Sequence, residues 1–253
     1  MTKLRLISTL LLLPVFAAGC ALKPQRVNIA SPQSPEVMVC FDALQKSFGI
    51  APIKDERPPV EKAGDKPGGI FLLLWNQRIG NYISGDKDFL DPAATAMPDQ
   101  IGRSISRSNC FFETKILKEQ IPPQPSAEDL LIVLAKEKVD YVLSVELKHF
   151  YGQQHQKAYL YLLPAFFVNF FGWGNQAGNA EGRAEMVIVI YETQSGNEVF
   201  REKVFTQAYT PVAGAYPQAA QDAFTEASQK ISNYIYRFAQ LQQGSPVFQP
   251  EQI

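Results

Sequence analysis

The chain has 253 residues, of which 46% are apolar and 19% are charged. These proportions exclude a disordered tail protein and predict one packed domain of ordinary size. The 24 lysines and arginines nearly balance the 25 aspartates and glutamates, so the composition gives no support for a nucleic-acid surface. Three cysteines are too few for a disulfide scaffold, and two histidines offer little material for a histidine-rich metal site.

The N-terminus has the pattern of a secretory signal peptide. Lys3 and Arg5 are followed by a mostly aliphatic run over residues 6–18, and small residues stand immediately before Cys20. This apolar run is too short to span a bilayer comfortably. The sequence AAGC over residues 17–20 resembles the lipobox of bacterial lipoproteins, although it has Ala where that family usually has Leu.

The resemblance implies that residues 1–19 are removed and that Cys20 becomes the first residue, carrying diacylglycerol and palmitate. Several acyl chains give near-permanent attachment, since each buried methylene contributes about 0.8 kcal/mol. Residue 21 is Ala rather than the Asp that marks inner-membrane retention, which favours the outer membrane. The alternative is an ordinary signal peptide or membrane anchor with a chance cysteine. Cleavage would leave 22 cations against 25 anions, a net charge of −3.

The next segment, residues 20–36, is predicted to be a lipidated flexible tether. It contains Pro24, Pro32 and Pro35 among polar residues and shows neither helical nor strand periodicity. The folded domain is therefore predicted over residues 37–242, followed by a C-terminal tail over residues 243–253.

Two thiols, Cys40 and Cys110, would remain in an oxidising compartment, where disulfides persist. Their pairing would close a loop of about 70 residues, worth about 4 kcal/mol on the chain-entropy model. The alternative is that the two cysteines are buried separately as small apolar residues. Nothing in the sequence fixes the distance between them.

The first half of the domain is predicted to contain two strands and a helix. A short strand over residues 48–53 ends in the cluster Asp55-Glu56-Arg57, and Pro52 restricts it to an edge or terminal position. A helix over residues 93–108 follows from apolar residues at three- and four-residue steps. Residues 111–117 are predicted to form the second strand.

The second half continues with a helix and a strand. Ser126 and Asp129 resemble a capping box, which predicts a helix start. Its predicted buried face is formed by Leu130, Leu131, Val133 and Leu134. Residues 140–150 then alternate in the manner of a half-buried strand.

The C-terminal part is predicted to be a hairpin and a long helix. Residues 186–193 and 199–208 are β-rich and flank a short Gly-Asn break, so they are expected to pair antiparallel. An apolar stripe from Ala220 to Leu241 indicates the helix. The fold class is therefore α+β or mixed α/β, a single domain with helices packed on a mixed or mostly antiparallel sheet.

Four segments of the chain together resemble a known group. They are the motifs IAPIKDERP, SISRSNCFFETKIL, VDYVLSVELKHF and MVIVIYETQSGNEVFREKVF, which follow the lipobox. Over residues 45–240 the chain resembles the YajG-like periplasmic lipoproteins. More distantly, it resembles the penicillin-binding-protein activator and curli-secretion lipoproteins with a TolB N-terminal-like domain. The resemblance implies a non-enzymatic envelope protein that binds partners and needs no cofactor.

Two uncharged insertions, residues 67–77 and 158–180, depart from that group. Within residues 158–173, 13 of 16 residues are apolar and 7 are aromatic. Neither insertion alternates apolar and polar residues as pore-forming hairpins must. Each follows a predicted strand, so parallel strands would bring both insertions to one edge of the sheet. The side chains expected to form a joint apolar surface are Phe71, Leu72, Leu73, Leu74, Trp75, Phe166, Phe167, Phe170, Phe171 and Trp173.

These insertions leave three interpretations open. They could be extra core segments, since apolar runs in globular proteins are usually interior. They could instead lie in the membrane interface or pack against a partner protein or a second copy. Covering six large side chains is worth on the order of 10 kcal/mol, so something must cover them.

No catalytic or metal-binding motif is visible. Asp55, Glu56 and Arg57 are adjacent, so their side chains alternate between faces and cannot share a substrate. His149 and His155 lack nearby ligand partners and are expected to be surface or hydrogen-bonded residues. The loop with Asp86, Asp88 and Asp91 weakly resembles a calcium loop, but without the final Glu and central Gly it is expected to be solvated. No enzyme activity and no metal are therefore expected.

Three classes of function remain. The first is a non-catalytic outer-membrane lipoprotein whose domain, facing the periplasm, binds other envelope components or a second copy. The second is a transport-accessory lipoprotein that carries an apolar ligand such as a lipid. The third, an envelope hydrolase without a recognisable motif, would require a deep cleft holding close-set carboxylates or a Ser-His pair.

Overall fold

The computed structural model describes residues 26–29, 37–64, 82–118, 121–122, 125–154, 180–211 and 215–244. The strands within these ranges are β1 Leu44–Ile50, β2 Lys54–Asp55, β3 Tyr82–Ile83, β4 Phe111–Ile116, β5 Tyr141–Gln154, β6 Ala180–Glu192 and β7 Glu198–Thr210. The α-helices are α1 Pro59–Ala63, α2 Ala93–Ser108, α3 Ala127–Glu137 and α4 Tyr216–Gln242, and a 3-10 turn covers Asp86–Asp88.

The seven described strands form one mixed sheet in the order β4-β1-β5-β6-β7. Strand β1 is parallel to both β4 and β5, whereas β5, β6 and β7 pair antiparallel. Strands β2 and β3 also pair with β5, so this long strand has three short partners along one side. The α+β architecture expected from the sequence is confirmed.

The position of β1 differs from the expectation for an edge strand. Strand β1 lies between β4 and β5 in the interior of the sheet. Pro52 falls in the break between β1 and β2, where its missing N–H costs no ladder hydrogen bond. The chain thus interrupts the sheet at the proline and resumes it two residues later as β2.

Helices α2 and α4 cover one face of the sheet and bury the main core. Met97, Ile101 and Ile105 of α2 are essentially inaccessible, as the helical spacing predicts. Helix α4 buries its own stripe, including Phe224, Ile231 and Phe238. Leu241, in its last turn, is exposed instead. On this helix, Glu226 and Lys230, four residues apart, form an ion pair at 3.0 Å.

Helix α3 covers part of the opposite face. The predicted capping box is confirmed, because Ser126 Oγ accepts from the Asp129 N–H at 3.1 Å while the Asp129 carboxylate accepts from the Ser126 N–H at 2.9 Å. Leu130 and Val133 are buried against the sheet. Leu131, predicted to be buried, is 48% exposed, since only one narrow stripe of this helix contacts the sheet.

The C-terminal hairpin is confirmed and is longer than predicted. Strands β6 and β7 each have 13 residues and pair over nearly their whole length. Gly196, in the turn that joins them, has a φ of 72°. That left-handed conformation favours glycine, which explains the Gly-Asn signal in the sequence.

Residues 26–29 depart from the expectation of a flexible tether. Val27 forms a parallel bridge with Phe89, and its N–H donates to Asp88 O at 3.0 Å. Ile29 is 1% exposed, and Gln221 of α4 donates to Asn28 O at 2.7 Å. This part of the segment packs on the domain because its two aliphatic side chains reach the core. The remainder of the predicted tether lies outside the described residues.

Candidate functional site

Among the residues that the structure describes, Arg57 and its partners form the most deeply buried group of charged side chains. The Arg57 side chain is fully buried and forms a bidentate pair with Asp55 at 2.9 and 2.8 Å. Its Nη2 also donates to Asp86 Oδ1 at 3.0 Å, across 29 residues of chain. The guanidinium lies 6.0 Å from the centroid of the Phe150 ring. The cluster therefore joins β2 and the 3-10 turn to the long strand β5.

The electrostatics of this cluster favour the charged forms. Partial burial of Asp55 opposes its charge, but the hydrogen bonds and charge of Arg57 more than offset this effect and hold the Asp55 pKa below its ordinary value. Burial likewise opposes the charge on Arg57, yet Asp55 and Asp86 keep its pKa above the usual value. Among the described residues, Arg57 Nη1 has no hydrogen-bond partner. The arrangement is a fixed ion pair rather than a poised acid or base.

Glu56 faces away from this cluster, as the strand alternation predicts. It pairs with Lys54 and with Lys148 of β5. The hydrogen bond from Lys148 is the main reason that the Glu56 pKa lies below its ordinary value. The three adjacent residues thus divide between two separate ion-pair groups and do not converge on a shared substrate position.

His149 is hydrogen-bonded, as expected for a histidine without metal-ligand partners. Its Nδ1 lies 2.7 Å from Glu61 Oε1, and the other oxygen of Glu61 accepts from the Phe150 N–H at 3.1 Å. The Glu61 side chain is only 7% exposed. The contact fastens helix α1 to β5. His155 lies outside the described residues.

The aspartate-rich loop is structural. Asp86 binds Arg57, and Asp88 accepts from the Gly85 N–H at 3.0 Å. These two carboxylates are therefore committed to different partners. Within the described ranges, no group of three or more histidines, cysteines or acidic residues is arranged to hold a metal ion.

Cys40 and Cys110 are joined by a disulfide in the structure, with a Cα–Cα separation of 5.0 Å. Both residues are buried. Gln240 Nε2 of α4 lies 3.9 Å from Cys40 Sγ, and Gln243 donates to Asp42 O at 2.6 Å. The disulfide therefore ties the segment before β1 to the start of β4, beside the C-terminal end of α4.

The two insertions join the described domain at one end of the sheet. The second leaves β5 at Gln154 and returns at Ala180, and these two residues are paired. The first returns into β3 at Tyr82, which also pairs with Gln154. The first insertion leaves the described domain at Gly64. This glycine packs so closely on Gly85 that a Cβ at Gly64 would lie 2.6 Å from the Gly85 nitrogen.

The N-terminal segment meets the domain at the same end. Val27 contacts Asp88 and Phe89, a few residues after β3, and Asn28 contacts Gln221 near the start of α4. The start of α4 also lies here, because a Cβ at Gly152 would lie 1.5 Å from Tyr216 O. The first insertion follows α1 rather than a strand, so the shared end arises from the pairing of β3 with β5 and not from two parallel strands.

The predicted lipidation site and apolar surface fall outside the described residues. These are Cys20, residues 71–75 and residues 166–173. Within the described part of the chain, none of the helices is long and apolar enough to cross a membrane.

A groove between α2 and the edge strand β4 was not predicted. It has a volume of about 490 Å³ and is lined by Asp99, Gly102, Arg103, Ser106, Arg107, Thr114 and Ile116. The signal that could have revealed the groove is the pair of arginines one turn apart, followed by the exposed residues Phe112 and Ile116.

Comparison with known proteins gives structural likeness alone. No family model and no curated protein sequence matches the chain. A Xanthomonas campestris protein of the family DUF330 has a TM-score of 0.47 and 9% identity, covering 83% of this chain and 95% of that one.

Two further solved structures are similar at lower scores. A PelC dodecamer from Paraburkholderia phytofirmans has a TM-score of 0.37 and 7% identity, covering 77% of this chain and 93% of that one. A lipoprotein from Neisseria meningitidis has a TM-score of 0.29 and 10% identity, covering 76% and 98%. Likeness of this degree assigns neither a family nor a function to the chain.

Proposed function

We propose that this protein is a non-catalytic lipoprotein of the bacterial outer membrane, anchored through Cys20, whose periplasmic domain binds other envelope components. The proposal rests on the place where three segments of the chain join the domain. The N-terminal segment and both uncharged insertions join the domain at one end of the sheet. Apolar segments and a lipid anchor at the same end are suited to a surface that works close to the membrane.

The length of chain between the anchor and the domain supports this arrangement. Arg26, the first described residue, comes six positions after Cys20. Fully extended, six residues span about 20 Å at most, less than the thickness of a bilayer. An anchor at Cys20 therefore keeps the end that carries both insertions near the membrane surface.

The chemistry of the described residues supports a binding role over catalysis. Asp55 and Glu56 are engaged by neighbouring cations, and these contacts lower the pKa values of these two carboxyl groups. Such pairs hold strands together and do not supply a proton donor near neutral pH.

The test is intact-mass measurement combined with fractionation of native membranes. We expect a mature chain that starts at Cys20, has the added mass of acyl chains and co-sediments with the outer membrane. The Cys20→Ser variant should be released into the soluble fraction. An unmodified wild-type chain, or one recovered in the inner membrane, would contradict the proposal.

A further inference from the structure

Strand β4 is an edge of the sheet that the described strands form. It pairs with β1 on one side and stands last in the strand order. The Leu117 N–H donates to Ile50 O at 2.8 Å, so this backbone group faces β1. Because backbone groups alternate in direction along a strand, Thr114 and Ile116 direct their N–H and C=O groups away from β1. These groups are a template for one more strand.

The side chains of this edge are apolar at two exposed positions and carry no net charge. Phe112 is 73% exposed and Ile116 is 46% exposed. The two charged residues of β4 have opposite signs and form an ion pair with each other, from Lys115 Nζ to Glu113 Oε2 at 3.1 Å. Natural edge strands are commonly protected by an excess of charge, which β4 lacks.

The order of the side chains makes β4 complementary to a second copy of itself. Residues 112–116 are in turn apolar, acidic, threonine, basic and apolar. When two such strands pair antiparallel about Thr114, Phe112 of each copy lies opposite Ile116 of the other. Glu113 of each copy then lies opposite Lys115 of the other, and cross-strand pairs of opposite charge are stabilising.

The same pattern selects one register. A pair centred on residue 113 would place two glutamates opposite each other, and a pair centred on residue 115 would do the same with two lysines. The centre at Thr114 also suits the backbone, because its outward N–H and C=O groups can bond to those of the same residue in the other copy. Charge and backbone direction therefore agree on Thr114.

We propose that two copies of this protein pair antiparallel through β4, so that the sheet continues across a two-fold axis at Thr114. A patch that contacts its own copy is the form of interface that two-fold symmetry requires. The two threonines exchange backbone hydrogen bonds, the exposed apolar side chains cover each other, and the charged residues form two ion pairs between the copies.

The pairing goes beyond the proposed function and sets the orientation of the two domains. Strand β1 runs parallel to both β4 and β5, so the end of β5 that carries the second insertion points the same way as the end of β4. Antiparallel pairing therefore turns the insertion-bearing ends of the two copies in opposite directions. Two copies anchored in one leaflet fit this arrangement when their strands lie along the membrane surface.

Cysteine crosslinking tests the register, in the full chain with Cys20→Ser so that no lipid is needed. Opposed residues of a hydrogen-bonded antiparallel pair have Cα atoms about 5.5 Å apart, which suits a disulfide. We expect Thr114→Cys to form a linked dimer on mild oxidation. Ile116→Cys should not link to itself, because the two copies of residue 116 would lie about 13 Å apart along the strands, but it should link to Phe112→Cys in a mixture. Peptide mapping verifies that the native disulfide is intact.

Charge variants test whether the occupant is a second copy. Glu113→Lys alone and Lys115→Glu alone place like charges opposite each other, so each should weaken self-association about tenfold or more. A mixture of the two variants should associate again, because every charge then faces an opposite one. Arg237→Glu, which changes an exposed arginine on α4, should leave association unchanged. Sedimentation velocity measures the association, and thermal unfolding verifies that each variant is folded.

Backbone variants complete the test. Thr114→Pro removes an outward N–H and should abolish association, whereas Thr114→Val keeps it and should associate within about twofold of wild type. If Thr114→Pro does not fold, the charge variants and their mixture still decide.

Three outcomes would overturn the proposal. They are a Thr114→Cys chain that does not crosslink, self-linking of Ile116→Cys, and association that neither single charge variant weakens, since another surface would then hold the copies together. The assays use no membrane and no lipid. Their failure therefore leaves the anchor at Cys20 standing, and loss of anchoring leaves the β4 interface standing.

Discussion

A buried guanidinium needs fixed counter-charges, and Arg57 obtains them from Asp55, two residues away, and Asp86, far along the chain. Strand alternation in the sequence was enough to predict that Asp55 and Glu56 face apart. It could not predict Asp86, because that contact depends on where the chain returns after the first insertion. Local periodicity predicts which way a side chain points, whereas the identity of its distant partner is a property of the folded path.

The Asp55→Asn variant tests this cluster. We expect the free energy of unfolding at pH 7 to fall by about 1.5–3 kcal/mol, because a charge-assisted pair to a buried arginine is lost. The folded pKa of Asp55 lies below its ordinary value. The Asp55 carboxylate therefore adds to the free energy of unfolding at pH values above its unfolded-state pKa of about 4. This contribution is lost as the pH falls through the lower pKa of the folded state. Urea denaturation at pH 7 and at pH 2.5–3 should show that the difference between variant and wild type shrinks in acid.

Glu56→Gln is the control for that measurement. Glu56 is partly exposed and pairs only with surface lysines, so its replacement should cost less than about 1 kcal/mol. If Glu56→Gln lowers the free energy of unfolding as much as Asp55→Asn does, burial of Arg57 does not determine how much the ion pair contributes to stability.

At the level of elements, helix boundaries were predictable and strand lengths were not. Helix α2 matches its predicted range of 93–108, and the capping box at Ser126 marks the start of α3, because these signals lie within one turn of chain. Strand β5 runs four residues past its predicted end at residue 150, and β6 begins six residues before its predicted start at residue 186. Their added residues include glycines and polar side chains, whose strand conformation comes from pairing with a distant neighbour.

The packing of α4 on β5 depends on a close approach at Gly152. A Cβ there would lie 1.5 Å from a backbone oxygen of α4, so Gly152→Ala should displace the helix and lower stability by about 1–3 kcal/mol. Gly102→Ala is the matched control. Its Cβ meets the flexible end of Ile50, and alanine is favoured in a helix, so stability should change by less than about 1 kcal/mol. Guanidinium unfolding of both variants checks the prediction, and similar losses would contradict it.

The disulfide connects two elements that the sheet already places side by side. Replacing Cys40 and Cys110 together by Ser should lower the free energy of unfolding by about 2–4 kcal/mol, since the bond closes a loop of about 70 residues. Alkylation of denatured protein should detect no free thiol at these positions until a reductant is added. Equal stability of reduced and oxidised wild type would contradict this prediction.

For the whole molecule, the sequence predicted an envelope lipoprotein with two apolar insertions but could not show how the insertions are related in space. The described strands bring their points of attachment together through β3, β5 and β6. That relation depends on sheet pairings between segments separated by up to about 70 residues, which no local pattern encodes.

The apolar surface predicted for residues 158–173 is tested by changing Phe167 and Phe170 to Ser in an unlipidated Cys20→Ser background. For a membrane-facing surface, we expect liposome flotation to fall while the unfolding temperature barely moves. Phe41→Ser is the control, because Phe41 is 99% exposed near the disulfide, and its loss should not affect flotation. If the two phenylalanines are core residues, the double change should instead cost several kcal/mol and unfold the domain.

The short bridge between Val27 and Phe89 limits how far the domain could lie from an anchor at Cys20. With residues 26–29 docked, an anchor at Cys20 limits the domain to about 20 Å from its point of attachment, whereas release of the segment up to residue 37 would extend the limit to about 60 Å. With Cys20 as the anchor, the backbone pairing of Val27, the buried Ile29 and the hydrogen bond from Gln221 would together decide whether the domain stays close to the membrane or reaches farther from it.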